Sequence, residues 1–525
     1  MQINRIGAMD RRRVVKNALV MALGINVSRV LGFVRDIVLA AMLGTTGMIE
    51  AFIIAFRVPN IFRSLLGEEA VDSVVVPALA AHAKDDARFS ELSSRILLIA
   101  AILLGAISVA GVVAAPWLIP VIAPGFKADA RKLTFTIEAL RIVFPYLFFI
   151  GIAAHCAGMA YVKNRYFTAS FAPALLNLFM IVGVVVAVKF HLAPVIVLSW
   201  AVLGAGAAQC LWQLQSIKRY CVVNPRLGDA LSDPEVRHIG KLFVPRLWGV
   251  AVYHVNILVV ETAFASLSSI VGAGAIGSMY YASRFIQLPL ATVSLSVSRA
   301  ALPGLSGVAK PEEREKFSQA FYFLWTLVLT IIAPISVMFM VFPDAFMGIF
   351  RCGAFDAKAL ALTSWVFVWY APGLVFYALA RVMTSSMYAL KDTSTPAKAA
   401  TVSLVVNIAS AAILMFPMKA GGLAAASSVA AAANVAVLIH AMRKRVKVPF
   451  TPIIAESARI AFVSVGTAAL LYFFKDTMAA NHRYVYPALV TVSFTLVFLV
   501  LGAMVGITSI RSILERVCAK ISKKK

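Results

Sequence analysis

The chain has 525 residues, 61% hydrophobic and 14% charged, with a mean hydropathy of +0.87. A soluble domain carries about 25% charged residues, so this composition excludes an aqueous globular protein and calls for one that crosses a bilayer many times. The formal net charge of +25 invites a nucleic-acid reading, which the placement of the charges excludes.

A span needs about 20 apolar residues, and the hydropathy pattern predicts about fourteen. In chain order they fall near 17–43, 47–66, 95–122, 133–160, 167–188, 194–217, 241–268, 275–303, 317–343, 360–388, 397–417, 421–442, 457–474 and 485–508. Little is left for a soluble domain. Basic residues gather before the first span (Arg11, Arg12, Arg13, Lys16) and after the second (Lys84, Arg88, Arg95), fourth (Lys163, Arg165) and sixth (Lys218, Arg219, Arg226, Arg237, Lys241). They recur after the eighth (Lys310, Arg314, Lys316), tenth (Lys391, Lys398) and twelfth (Arg443, Lys444, Arg445, Lys447), and Lys523, Lys524 and Lys525 end the sequence. The alternate connections carry far fewer. This positive-inside pattern puts both termini in the cytoplasm. The first apolar stretch is too long and too charged for a cleavable signal, and reads as a retained span. Cys156, Cys210, Cys221, Cys352 and Cys518 show no metal-ligand spacing, so no metal site is expected and they read as small packing residues.

Residues 47–86 and 274–312 echo each other. Gly47 to Arg57 has the spacing of Gly274 to Arg284, and each arginine is followed by a proline inside the helix, Pro59 or Pro289. Pro145 to Tyr161 likewise matches Pro372 to Tyr388, with the same offset of 227 (284 − 57 and 372 − 145). A shared offset points to duplication. The expected fold is an all-α polytopic membrane protein with two pseudo-symmetric six-helix lobes and two extra C-terminal helices. The predicted divisions are an N-terminal lobe at 1–217, a cytoplasmic inter-lobe linker at 218–240 and a C-terminal lobe at 241–445. Two additional helices and a basic tail occupy 446–525. Transporters built from parallel repeats bind substrate between the lobes.

Arg29, Arg35, Arg57 and Arg63 interrupt the first two spans. A charged side chain at the bilayer centre costs roughly 2.5–3.5 kcal/mol on insertion scales, so four arginines in adjacent helices imply a wet cavity that receives an anion. At about 100° per residue, Ser28, Arg29, Gly32, Arg35 and Asp36 share one side of the first span. Glu50, Arg57 and Ser64 form a stripe on the second, with Asn60 and Arg63 beside it. Pro59 removes a helical hydrogen bond and predicts a kink there. Internal pairing of Arg29 with Asp36 and of Arg57 with Glu50 is the alternative, and it leaves Arg35, Arg63 and Arg284 without evident partners. Arginine suits a phosphate because its planar fork donates two parallel hydrogen bonds. His155 stands alone in mid-helix and reads as a satisfied core histidine. No nucleotide-binding loop, catalytic triad, HExxH motif or supported carboxylate dyad is present, so no catalytic residue is assigned.

The run Ser28-Arg29-Val30-Leu31-Gly32-Phe33-Val34-Arg35-Asp36 resembles the opening motif of the MurJ (MviN) lipid II flippases, of the multidrug/oligosaccharidyl-lipid/polysaccharide exporter superfamily. So do Ala55-Phe56-Arg57-Val58-Pro59-Asn60 with Arg63, Phe144-Pro145-Tyr146, Phe171-Ala172-Pro173 with Leu176-Asn177, and Met279-Tyr280-Tyr281-Ala282 with Arg284. The likeness runs nearly the whole chain. It implies a fourteen-helix transporter that moves the undecaprenyl-diphosphate-linked muropeptide, lipid II, across the bacterial cytoplasmic (inner) membrane for peptidoglycan synthesis. Arg29, Arg35, Arg63 and Arg284 match the family's cavity arginines, Arg57 stands where lysine is common, and Glu50 where aspartate is usual. Ser283 and Gln287 replace acidic residues that often flank the eighth-span arginine, and Glu261 is the candidate substitute carboxylate. The expected mechanism is alternating access. Substrate contacts would come from Arg29, Arg35, Arg57, Arg63, Arg284, Ser28 and Asn60, with Asp36, Glu50 and Glu261 in gating or ion-pair roles. No cofactor is required, and coupling to membrane potential or a monovalent ion is expected. Membrane lipids and cell-wall synthases are the expected partners, and nucleic acid is not. Another polyprenyl-linked glycan as cargo, a drug cation, and a non-transporting scaffold of cell-wall synthesis stay open as alternatives.

Overall fold

The computed structural model describes residues 8–69, 71–220, 225–446, 450–480, 482–511 and 515; the basic tail lies outside them, as do the side chains of Arg11, Arg12, Arg13 and Lys16. The described chain is helical throughout, with no strand. The long helices are α1 (Ala8–Leu43), α2 (Met48–Phe62), α3 (Asp86–Ile122), α4 (Ala130–Val143), α5 (Tyr146–Val162), α6 (Tyr166–Lys189) and α7 (Pro194–Ile217). A short α8 (Leu227–Ser232) leads into α9 (Pro234–Leu258). Then come α10 (Ala275–Pro289), α11 (Leu295–Gly307), α12 (Arg314–Val341), α13 (Ala357–Ala389), α14 (Ser394–Met418), α15 (Ala420–Arg445), α16 (Phe450–Tyr472) and α17 (Val485–Val505).

Every predicted span is occupied by helix. Among the described residues, eleven helical segments are long and apolar enough to cross a bilayer. The first span is the charged α1. The second carries Glu50, Arg57 and Arg63; α2 continues as π-helix at Arg63–Glu69 and Val71–Val75, and α9 as π-helix at Val259–Phe264. Apolar side chains exposed on helix surfaces, such as Trp117 on α3 and Phe462 on α16, suit contact with lipid tails.

Contacts divide the chain into two compact units, Met1–Val255 and Asn256–Lys525. In the first, α6 lies between α1 and α7, α5 packs on α7, and α2 packs on α4. The second repeats this plan: α15 packs on α14 and α13, and α10 on α13. The offset read from the sequence holds at helix ends. α2 and α10 begin and end 227 apart (275 − 48 and 289 − 62), as do the α4–α5 pair and α13 (357 − 130 and 389 − 162). The caps repeat as well. Asp129 accepts from the Lys132 amide at 3.0 Å and Asp356 from the Ala359 amide at 2.8 Å, each satisfying an orphan donor of the first turn. Even the left-handed residues Asn164 (φ 57°) and Lys391 (φ 60°) stand 227 apart (391 − 164).

The extra helices α16 and α17 pack on each other and on α12. Trp325 of α12 donates to Ser457 Oγ at 3.2 Å, and buried Glu456 accepts from the Thr508 amide and hydroxyl, both at 2.6 Å.

Candidate functional site

In the first unit, α1 lies along α6 at close range: a Cβ at Gly24 would stand 2.7 Å from Ser170 Cβ, so glycine permits the approach. Asn177 of α6 ties the pair. Its amide donates to the Ser28 carbonyl oxygen at 2.9 Å, with Ser28 Oγ at 3.5 Å, and its Oδ1 accepts from Arg35 Nη1 at 2.9 Å. Arg35 Nε and Nη2 both donate to Asp36 Oδ1, at 3.0 and 2.7 Å, and the two residues are only 8% and 2% exposed. Of the alternative of internal pairing, Asp36 is engaged by Arg35 rather than by Arg29, so Arg35, read as lacking an evident partner, has a carboxylate. A helical wheel separates sequence neighbours by about 100°, but the long arginine stem folds its guanidinium back across that arc. Arg29 is exposed, and none of the hydrogen bonds or ion pairs among the described residues involves it.

Glu50 occupies the first turn of α2, where the helix dipole favours a carboxylate. It is 3% exposed and paired with Lys132 of α4, whose ammonium also sits 4.1 Å from the Phe126 ring centre. The Lys132 pairing crosses from α4 to α2, a contact that the spacing within α2 does not reveal. Arg57 and Arg63 are half-buried, and Arg63 Nε donates to Asn60 Oδ1 at 2.9 Å. The disruption expected at Pro59 takes the form of the α-to-π transition that begins at Arg63.

The second unit has the same device. Arg284 lies on α10 with its guanidinium 4.4 Å from the Tyr280 ring centre; Pro289 ends that helix, and π-helix follows at Leu290–Ser294. Buried Tyr281 packs on Phe350 and Phe355 and fixes the rotation of α10. Ser283 Oγ donates to the Tyr280 carbonyl at 2.9 Å. Glu261 is half-buried in the π-helical turn Val259–Phe264, which packs against α10. Arg63 and Glu261 thus sit inside π-helix, and Arg57 and Arg284 just before it. Such wide turns recur at functional sites because they break the regular backbone ladder.

His155 is a core residue, as expected: it is buried, with Nδ1 2.9 Å from the Gly151 carbonyl. The residue underused in the sequence reading is Asn177. A buried amide inside an otherwise apolar span needs partners, and that signal pointed to it. A second charge cluster holds α8 and the start of α9 to α3. Asp233, its side chain 1% exposed, takes Arg95 at 2.5 Å and Arg88 at 3.1 Å, while Arg88 reaches Glu235 at 3.2 Å. Burial alone would push the Asp233 carboxyl up, but hydrogen bonds from Arg88 and Arg95 outweigh it and hold the group at about 2.

Residues 39–495 match the family described as Lipid II flippase MurJ. A probable lipid II flippase MurJ from Rhizobium meliloti is 32% identical over 494 residues, 91% of this chain and 89% of the relative. A solved lipid II flippase MurJ in an inward closed conformation superposes with a TM-score of 0.78 at 22% identity, over 94% of this chain and 100% of that one. An inward-facing multidrug resistance MATE family transporter of the MOP superfamily gives 0.64 at 15% identity, over 81% and 95%. With helix ends repeating at one offset and arginines set beside paired α-to-π transitions, the chain belongs to the MurJ lipid II flippase family.

Proposed function

We propose that the protein moves lipid II from the cytoplasmic to the outer leaflet by alternating access, both termini being cytoplasmic. The family match over residues 39–495 carries the cargo. Arg29, Arg57, Arg63 and Arg284 are the groups proposed to neutralise the diphosphate, with Ser28 and Asn60 beside them. What supports this is that Arg29 is exposed and the other three stand at or next to the α-to-π breaks. Arg35 and Asp36 are assigned a positioning role, holding α1 on α6 so that Arg29 is presented. Glu50 anchors α2 through Lys132, and Glu261 is the carboxylate proposed to receive Arg284 when no anion is bound.

Repulsion among unliganded arginines would favour one of the two access states and a bound diphosphate the other. Binding shifts that balance only by its differential affinity for the two states. Membrane potential can contribute about 2.3 kcal/mol per charge per 100 mV. Cell-wall synthases that polymerise the delivered precursor are the proposed neighbours. The test is rescue of flippase-depleted cells. Arg29→Ala, Arg63→Ala or Arg284→Ala is expected to insert normally and fail to rescue. A scaffold would tolerate all three, so normal growth on them overturns the reading.

A further inference from the structure

We infer that the first unit binds a phosphate group in a cavity between α1, α6 and α7, at the place that the second unit fills with its own Asp392 carboxylate. The turns leading into α6 and α14 share one backbone. The Arg165 amide donates to the Ala160 carbonyl at 2.7 Å, and the Asp392 amide to the Met387 carbonyl at 2.9 Å. Just before them, Asn164 donates to Tyr161 at 3.0 Å and Lys391 to Tyr388 at 2.9 Å. Each residue and its counterpart stand 227 apart (392 − 165 and 387 − 160), the offset of the repeat. Arg165 and Asp392 are therefore structural counterparts of opposite charge.

In the second unit the turn carries its own anion. Asp392, 5% exposed, accepts from the Ser394 and Thr395 amides at 3.0 Å each and from the Thr395 hydroxyl at 2.5 Å. It also pairs with Arg445 of α15 at 2.8 Å. A negative charge thus satisfies the first turn of α14, where unpaired amides and the helix dipole favour one. The first unit keeps the donors and replaces the carboxylate. Phe167 and Thr168 are the counterparts of Ser394 and Thr395 (394 − 167 and 395 − 168). No side chain caps the start of α6, and the Thr168 hydroxyl has no partner among the described residues, whereas that of Thr395 bonds Asp392.

A cavity of about 410 Å3 lies against this turn, lined by Asn17 of α1, by Asn164, Arg165 and Thr168, and by Ser216 of α7. None of the described residues lining it is acidic. Arg165 is exposed, and its Nη1 donates to the Ser216 carbonyl at 3.0 Å, which holds the guanidinium at the cavity with further N–H groups on its fork. The counterpart of Arg445 is again a cation, exposed Lys218 (445 − 218). Helix-start amides facing an arginine suit a tetrahedral oxyanion, which offers oxygens to both. With both termini cytoplasmic, as proposed, this end of α6 lies at the headgroup level of the cytoplasmic leaflet. The abundant anion there is phosphate, as a phospholipid phosphodiester or as the free ion. Asn17 lies about 18 Å along α1 from Arg29, so this site is separate from the arginines proposed to hold the cargo and stands or falls without them.

The experiment follows amide hydrogen exchange of the purified full chain by mass spectrometry. The probes are inorganic phosphate and dihexanoyl phosphatidylglycerol, with sodium chloride at equal ionic strength as the control. Phosphate is expected to slow exchange in the peptide covering 164–170 several-fold and to leave 391–397, where Asp392 already sits, unchanged. Slowing by the lipid alone identifies a headgroup site, by inorganic phosphate alone a site for the free ion, and by both a site that reads only the phosphate. Arg165→Gln should raise the probe concentration needed roughly ten- to hundredfold, the worth of a charge-assisted hydrogen bond. Arg165→Asp, which gives the turn the carboxylate of its counterpart, should slow 164–170 without any probe and abolish the response. Arg29→Ala should respond as the wild type does. No slowing by either probe, or an equal response in Arg165→Asp, overturns the proposal.

Discussion

Asp36→Ala is the most informative single perturbation of α1. It removes the carboxylate that accepts two hydrogen bonds from Arg35 at 3.0 and 2.7 Å, leaving a guanidinium only 8% exposed without its adjacent counter-charge, while Asn177 still accepts from it at 2.9 Å. Stripping one partner from a buried pair costs about 3–5 kcal/mol, whereas replacing both by apolar groups of similar volume is often neutral. The single variant should therefore lose about 3 kcal/mol or more in a denaturant titration of the purified protein. The double variant Arg35→Met with Asp36→Leu should recover most of that loss. If Arg35 only positions α1, the double variant should also recover transport. A stable double variant that cannot transport would make Arg35 a direct substrate contact. A single-variant loss below about 1 kcal/mol would refute the claim that this pair is buried and mutually dependent.

Two other charge pairs give independent checks. Lys132→Ala should take the α4 ammonium away from Glu50, which is 3% exposed, costing about 3 kcal/mol, the low end for buried pairs because Lys132 is partly open; Glu50→Gln in the same chain should restore melting temperature, and failure to do so would reject the pairing. The Asp233 carboxyl sits at about 2, below its ordinary 3.8, so its stabilising contribution is complete above about pH 4 and is lost as pH falls toward 2. Protease cleavage within 225–235 should stay flat from pH 8 to pH 4.5 in the wild type and rise at neutral pH in Asp233→Asn. Release of the segment near pH 5 would contradict this.

How much the sequence could say depended on the kind of quantity asked for. Hydropathy is a property of each segment by itself, so all the spans could be placed; the backbone change expected beside Pro59 comes only at Arg63, since α2 runs unbroken through Pro59 to Phe62. The duplication was legible because helix caps such as Asp129 and Asp356 and turn residues such as Asn164 and Lys391 are fixed by local backbone needs. Ion pairing was not legible. A wheel gives the azimuth of Asp36 but not the reach of Arg35, and nothing in the spacing says that Asn177, 142 positions away, lies opposite. The Glu50–Lys132 pair was out of reach for the same reason: Lys132 comes close only because α4 packs on α2. Basic residues counted as orientation signals also do structural work. Arg88 and Arg95 hold Asp233, and Lys163 reaches Asp86 at 2.6 Å.

The most direct measurement follows labelled lipid II in proteoliposomes with a probe that reads only the outer leaflet. The wild-type protein is expected to move the lipid across. Arg29→Ala, Arg63→Ala and Arg284→Ala are each expected to stop it while the protein stays folded and inserted. Translocation at the wild-type rate by any folded variant lacking one of these guanidinium groups would contradict the central claim that they carry the diphosphate.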